Sequence, residues 1–208
     1  MAFSFLSGIR VLDLSQYLPG PLAAQVLADL GAEVVKIEPP AGDPQRHLDP
    51  TAGPLDPDVA EGGDTSPFYH VLNAGKTVTR LDLKSESGKA QFRALVVGTD
   101  VLLESYRPGV LDRLGFGYDA AKDLNPGLIY CALTGYGQTG PLRLAAGHDL
   151  NYMAATGALS QAGTADGPAM AWPPMADCAG AVMSALAILG ALVRRGRDGQ
   201  GAFLDVAM

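Results

Sequence analysis

Residues 9–38 read IRVLDLSQYLPGPLAAQVLADLGAEVVKIE, and this stretch decides the fold. Residues 9–14 and Glu33–Glu38 are short apolar runs with the length of buried strands. Between them, Pro21 favours the start of a helix and Gly31 favours a position just past its end. A strand, a helix and a second strand in this order predict a parallel pair with a right-handed crossover.

The same alternation continues to the end of the sequence. Further strands are predicted at 77–83, 101–105, 128–133 and 202–207, and further helices at 85–97, 107–114, 118–124, 148–155 and 177–195. This order predicts one α/β, Rossmann-like domain with a mostly parallel sheet flanked by helices. Residues 39–67 are rich in proline, glycine and aspartate and predict a long loop, either functional or a tolerated surface insertion.

The composition excludes several classes of protein. The 208 residues are 48% hydrophobic with a formal net charge of −7, which suits one sizeable core and argues against binding nucleic acid. Cys131 and Cys178 form neither a disulfide framework nor a metal-ligand spacing, so no metal site is predicted. The first residues lack a signal-peptide pattern, and the apolar run at 178–193 is short for a membrane span. We therefore expect a cytoplasmic protein that does not enter a membrane.

Two residues are the strongest candidates for chemistry. His148 lies in GHDLNY at 147–152, and Asp177 lies in PPMADCAG at 173–180. A histidine and a tuned carboxylate are well suited to moving protons near neutral pH, and both follow turn signals that precede apolar runs. Two facing helix starts would hold them across a cleft. The alternatives are that Asp177 only caps a helix and that His148 is a surface or core histidine.

These stretches, with those that precede them, resemble the family III coenzyme A transferases, and most of all the alpha-methylacyl-CoA racemases within that family. The resemblance runs from Gly8 to Met208 and includes residues 8–14, 30–38, 81–84, 107–110, 125–126 and 135–138. It implies that residues 1–208 form the acyl-CoA-binding α/β domain. Relatives continue into a small second domain, which supplies a catalytic glutamate in the racemases, and then return to the first domain. Relatives also form intertwined dimers, so a homodimer is expected.

The resemblance leaves three functions open. In the racemases, residues matching His148 and Asp177 remove and return the proton on the 2-carbon of a 2-methylacyl-CoA, and this is the preferred interpretation. In the transferases, the residue matching Asp177 is a nucleophile that forms an aspartyl-CoA thioester. The third possibility is a catalytically incomplete fragment. No cofactor is expected beyond the CoA moiety of the substrate.

An acidic protein needs local cations to bind the phosphates of coenzyme A. Lys76, Arg80, Arg107 and Arg113 are candidates because ammonium and guanidinium groups bind phosphate. Pro39 departs from the family, whose members often have an arginine there, and Arg46 is a possible substitute.

Further candidates follow from the resemblance and the chemistry. The residues expected to contact coenzyme or substrate are Ser105, Tyr106, Arg113, Leu114, Gly137, Asp149 and Tyr152. Asp149 would orient His148, and Tyr152 would donate a hydrogen bond, unless both are structural. Met153, Ala154, Met170 and Met175 would offer an adaptable acyl surface or belong to the core. Backbone N–H groups at a helix start would stabilise an enolate oxygen.

A glycine motif at residues 135–140 has the spacing of a dinucleotide fingerprint. It follows the fifth strand rather than the first, and Pro141 comes where a phosphate-binding helix is needed. We therefore expect binding of CoA thioesters and not of nicotinamide cofactors.

Overall fold

The computed structural model describes residues 3–49, 53–54, 66–164 and 166–208. Six parallel strands form the central sheet: β1 Arg10–Asp13, β2 Glu33–Glu38, β3 Thr77–Arg80, β4 Val101–Glu104, β5 Ile129–Thr134 and β6 Ala202–Ala207. Their order across the sheet is β3-β2-β1-β4-β5-β6, with every neighbouring pair parallel. This is the strand order of the Rossmann fold, so the predicted fold class is confirmed.

Helices cover both faces of the sheet. They are α1 Pro19–Asp29, α2 Pro67–Leu72, α3 Glu86–Val97, α4 Val110–Leu114, α5 Tyr118–Leu124, α6 Asp149–Ala155 and α7 Met175–Asp198. Neighbouring strand residues point to opposite faces: Val11 packs in the core formed with α1 and α7, and Leu12 packs in the core formed with α3. Strands buried on both faces explain the continuous apolar runs in the sequence.

Shorter elements lie outside this framework. A 3₁₀ turn spans Pro44–His47, and Leu48–Asp49 pairs antiparallel with Gly53–Pro54. A second 3₁₀ turn spans Ala158–Gln161. The loop predicted at 39–67 therefore contains local structure in its described part, and residues 50–52 and 55–65 of that prediction lie outside the described residues.

Helix α7 is buried on one face only. It is longer than expected and ends where Gly199 adopts a positive φ of 72°. One face, including Ala181 and Ile188, packs into the core, whereas Val182 and Leu186 on the other face are exposed. By length and composition alone, α7 could cross a membrane, yet here it packs on the sheet and on α1.

Successive strands are added towards one edge of the sheet after β1 and towards the other edge after β4. Strand β1 pairs with both β2 and β4, so the connections after β1 and β4 run towards opposite edges. The two loops are joined where Gln16 N donates to Ser105 Oγ at 3.1 Å. In open parallel sheets, a crevice at the carboxyl ends of the strands forms at such a switch point, and ligands bind there.

Candidate functional site

A cavity of about 280 Å³ opens at this switch point. It is formed by the loops after β1, β4 and β5 and by the segment before α6. Two arginines, Arg107 and Arg143, line it. We call it the arginine cavity; it is lined by Gln16, Tyr17, Pro19, Ser105, Tyr106, Arg107, Pro108, Leu133, Thr134, Gly135, Tyr136, Arg143, Ala145, Ala146, Gly147, His148, Tyr152, Asp177 and Met208.

A second cavity, of about 310 Å³, adjoins the first. We call it the apolar cavity; it is lined by Tyr17, Leu18, Gln45, Phe68, His148, Asp149, Leu150, Met170, Trp172, Pro174 and Asp177. Tyr17, His148 and Asp177 line both cavities. The structure therefore brings the two predicted candidates together at the wall between the two spaces.

His148 is presented by a tightly built turn before α6. Its backbone N–H donates to Asn151 Oδ1 at 2.9 Å, and the Tyr152 hydroxyl donates to Gly147 O at 2.6 Å. A Cβ at Gly135 or Gly147 would lie 2.6 Å from Tyr152 Cε1, so only glycine lets the backbone approach this ring. The Tyr152 hydroxyl proton is thus used to hold the turn, although its ring lines the arginine cavity.

Asp177 lies in the first turn of α7, and a different residue supplies the cap. Asp149 Oδ1 accepts from Ala176 N at 2.6 Å and from Asp177 N at 3.1 Å. The alternative that Asp177 is an N-cap is therefore wrong, because Pro174 holds that position and Asp149 provides the acceptor. These two N–H groups are satisfied within the protein, so they do not form the predicted oxyanion site.

The carboxyl group of Asp177 is tuned towards neutral pH. Burial raises its pKa to about 6, the negative charge of Asp149 acts in the same direction, and His148 opposes the shift. A carboxyl group with this pKa exchanges protons near neutral pH and is ionised as a nucleophile above pH 6.

Tyr17 is a site residue that the sequence did not reveal. It has a positive φ of 63°, which is uncommon for a residue other than glycine. Its ring meets the His148 ring edge-on with centroids 6.5 Å apart. Strained backbone outside glycine often occurs at functional sites, but the conformation has no signature in the sequence.

Buried charges hold the turn that carries Tyr17. Asp43 Oδ1 accepts from Tyr17 N at 3.3 Å, and its other oxygen pairs with Lys36 Nζ at 2.8 Å. Lys36 Nζ also donates to Ser15 O at 2.9 Å, and Asp13 accepts from the Ser15 hydroxyl. A buried charge is costly unless it is paired, and Lys36 and Asp43 form such a pair here.

Two predicted phosphate-binding cations have other partners. Lys76 Nζ is fully buried and donates to Asp13 Oδ2 at 2.9 Å, Pro21 O at 2.9 Å and Asn73 Oδ1 at 3.1 Å. All three ammonium protons are used within the protein, so none is left for a phosphate in this structure. Arg46 donates hydrogen bonds to Glu38 from Nε at 2.9 Å and from Nη2 at 3.0 Å. Its guanidinium is therefore not free to take the place of the arginine that relatives often have at the position of Pro39.

The remaining predicted contacts separate into two groups. Ser105, Tyr106 and Arg107 line the arginine cavity, together with Arg143, which was not among the predicted residues. The other group, which does not line either cavity in the described chain, consists of Arg80, Arg113, Leu114 and Gly137. Leu114 packs against the core under α3, and Gly137 lies beside Asp205.

The glycine motif contributes its first two residues, Gly135 and Tyr136, to the arginine cavity. A turn rather than a helix follows it at residues 141–144. Within the described ranges, no group of three or more His, Cys, Asp or Glu side chains is arranged to hold a metal ion.

The family model and the curated relatives all point to the same protein family. The sequence model described as "CoA-transferase family III" matches residues 6–208. An acetyl-CoA:oxalate CoA-transferase of Acetobacter aceti is 40% identical over 97% of this chain and 50% of its own length. A succinate–glutarate CoA-transferase of Agrobacterium fabrum is 41% identical over 98% of this chain and 50% of its own length. The chain thus spans about half the length of these relatives.

A solved structure agrees in fold. The crystal structure of a CAIB/BAIF family protein from Brucella suis superposes with a TM-score of 0.89 at 37% identity, covering 97% of this chain and 52% of that one. The two curated relatives described above are named as CoA-transferases, and neither is named as a racemase.

Proposed function

The chain belongs to the CoA-transferase family III, and from this premise we propose that it carries the acyl-transfer site of a CoA-transferase that moves CoA between carboxylic acids. The racemase interpretation preferred from the sequence becomes the second candidate, since the named relatives are transferases. The observation that carries the proposal is the position of Asp177, on the wall shared by the two cavities.

The proposed reaction begins at the Asp177 carboxylate. One carboxylate oxygen attacks the thioester carbonyl carbon, the C–S bond breaks, and a mixed anhydride and the CoA thiolate result. The thiolate then attacks the aspartyl carbonyl carbon, which releases the donor acid as its carboxylate and leaves an aspartyl-CoA thioester. The acceptor carboxylate repeats the two steps in reverse, forming the new acyl-CoA and restoring Asp177.

The two cavities suit the two halves of such a substrate. The arginine cavity would take the CoA arm, with Arg107 and Arg143 near its phosphates and Ser105 and Tyr106 along its length. The apolar cavity would take the acyl group. Asp177, lying between them, would meet the thioester carbon.

The second candidate is supported by His148, which lines the same wall as Asp177 and acts on its pKa. A base and an acid on either side of a 2-carbon would invert it through an enolate. In that mechanism, both residues exchange protons with the substrate and neither becomes covalently attached.

Full-length protein incubated with acetyl-CoA and an isotopically labelled carboxylic acid separates the two candidates. We expect labelled acyl-CoA to form, with a CoA adduct on the peptide containing Asp177 detected by mass spectrometry. Asp177→Asn should abolish both, and His148→Gln should slow transfer without removing the adduct. Exchange and inversion at the 2-carbon of a 2-methylacyl-CoA in deuterium oxide, with no CoA transfer, would instead establish the racemase.

A further inference from the structure

We infer that the apolar cavity selects monocarboxylic acids with an apolar chain and discriminates against dicarboxylic acids; this rests on the proposed function and names its substrate class. The two relatives described above carry dicarboxylic acids in their names, oxalate in the first, beside acetyl-CoA, and succinate and glutarate in the second. This chain would therefore differ from those relatives in the carboxylic acids that it accepts.

The first observation is the composition of the cavity wall. Leu150, Met170 and Trp172 are large apolar side chains left exposed around the cavity beside Asp177. Phe68 extends the wall, with its ring centroid 6.4 Å from that of Trp172 at an interplanar angle of 44°. Apolar surface gathered in a concavity next to reactive groups is typical of a ligand site.

The second observation is the charge in the cavity. None of its described lining residues is a lysine or an arginine, whereas Asp149 and Asp177 both contribute carboxyl groups. A second carboxylate on the substrate would be desolvated beside like charges, and His148, the described lining residue able to carry a positive charge, already interacts with Asp177. The described cations Arg107 and Arg143 line the other cavity, on the far side of Asp177.

The third observation is the direction in which a bound acyl group must extend. Since Asp177 lies on the shared wall, a thioester with its CoA arm in the arginine cavity directs its acyl chain into the apolar cavity. Gln45 is the described uncharged amide in that wall, and its Nε2 already donates to Leu48 O at 3.0 Å. An apolar chain fits this surface without leaving a polar group unpaired.

The inference is tested on full-length protein by measuring kcat/KM for CoA transfer to hexanoate and isovalerate against oxalate, succinate and glutarate. We expect the apolar acids to be favoured at least about tenfold, within the range that pocket complementarity provides. Preference for any of the dicarboxylic acids would overturn the inference.

Two methionine-to-lysine variants distinguish a change of substrate specificity from a general loss of activity. Met170→Lys replaces an unbranched apolar chain with a cation inside the cavity and should shift the glutarate-to-hexanoate ratio at least about tenfold towards glutarate. Met183→Lys is the matched control, because Met183 is 54% exposed, close to the 53% of Met170, and does not line either cavity. An unchanged ratio in a folded Met170→Lys protein, or an equal shift in both variants, would contradict the inference.

A binding measurement separates failure of this inference from failure of the proposed function. Equilibrium binding of hexanoyl-CoA and glutaryl-CoA to Asp177→Asn requires no transfer chemistry. Tighter binding of hexanoyl-CoA supports the apolar specificity even if the wild type transfers CoA to no acid, in which case only the transferase proposal fails. Tighter binding of glutaryl-CoA overturns the specificity.

Discussion

The carboxylate of Asp149 accepts a hydrogen bond from the backbone N–H of Asp177 at 3.1 Å, and its charge raises the pKa of the Asp177 carboxyl group. One residue of α6 therefore both fixes the first turn of α7 and adjusts the proton affinity of the proposed nucleophile. Burial remains the larger cause of the raised pKa. Charge and capping can be separated by substitution.

Asp149→Asn keeps an oxygen acceptor and removes the charge. The pKa of Asp177, about 6 in the wild type, should fall, so the acidic limb of the pH profile of kcat/KM should move to lower pH. Asp149→Ala also removes the cap and should unfold about 1 kcal/mol more easily than Asp149→Asn in urea. An acidic limb that stays in place in Asp149→Asn would show that the Asp149 charge does not act on the site.

The positive φ at Tyr17 can be tested by replacing this residue with glycine and with alanine. Tyr17→Gly adopts the positive φ without steric cost, whereas Tyr17→Ala retains the strain. We expect Tyr17→Gly to be more stable than Tyr17→Ala by about 1 kcal/mol in urea denaturation. Both should lose activity to a similar extent, because both lack the ring beside His148. Equal stability of the two variants would argue against a strained turn.

Lys76→Met should be strongly destabilising although methionine has a similar shape. Burial alone would raise the pKa of Asp13, but Lys76 and then Lys36 hold it below its ordinary value, so the carboxylate is charged and needs its partner. Removing one member of a buried pair typically costs about 3–5 kcal/mol. Lys89→Met breaks the solvent-exposed pair with Glu86 and should leave the unfolding free energy almost unchanged. Similar losses in both variants would contradict this account.

Glu104 makes the folded state sensitive to alkaline conditions. Burial, with a contribution from Asp112, raises its pKa from 4.5 to about 8, against a hydrogen bond from Tyr106 N at 2.7 Å. Above pH 4.5 the folded state holds a proton that the unfolded chain releases, so the stabilising contribution of Glu104 is fully present below pH 4.5 and is lost as pH rises through about 8.

Glu104→Gln cannot ionise and should remove that decline. At about 1.4 kcal/mol per pKa unit, the advantage of Glu104→Gln over wild type should grow by up to roughly 4 kcal/mol between pH 5 and pH 8. Chemical denaturation at both pH values measures it. A constant difference between the two proteins would mean that Glu104 is ionised throughout.

Local patterns in the sequence predicted much of the fold. The predicted bounds of β2, α5 and β6 agree with the structure, because apolar period and flanking turn residues are local signals. The order of the strands is set by pairings between distant parts of the chain, which periodicity does not encode. Strand β1 illustrates this limit, since Val11 lies opposite Val101 of β4.

Part of the site was also predictable. His148 and Asp177 were found because histidine and carboxylate residues at helix starts suggest proton chemistry, and the structure brings them to one wall. The burial of Lys76 was not predictable, because a lysine is usually exposed and this one is buried against a partner 63 positions away. Arg143 was missed because its approach to the cavity depends on how the loop after β5 folds back.

The central position of β1 also governs when the crevice can assemble. The N–H of Arg10 donates to Asp100 Oδ2 across 90 positions of sequence. Strand β1 can pair with β4 only after β2 and β3 have been synthesised. Contacts of such separation carry a large loop-closure cost and slow folding. On the ribosome, β1 and β2 would therefore pair first, with one flank of β1 unpaired until β4 emerges. That open flank is the stage at which a nascent chain would be most exposed to wrong strand pairing.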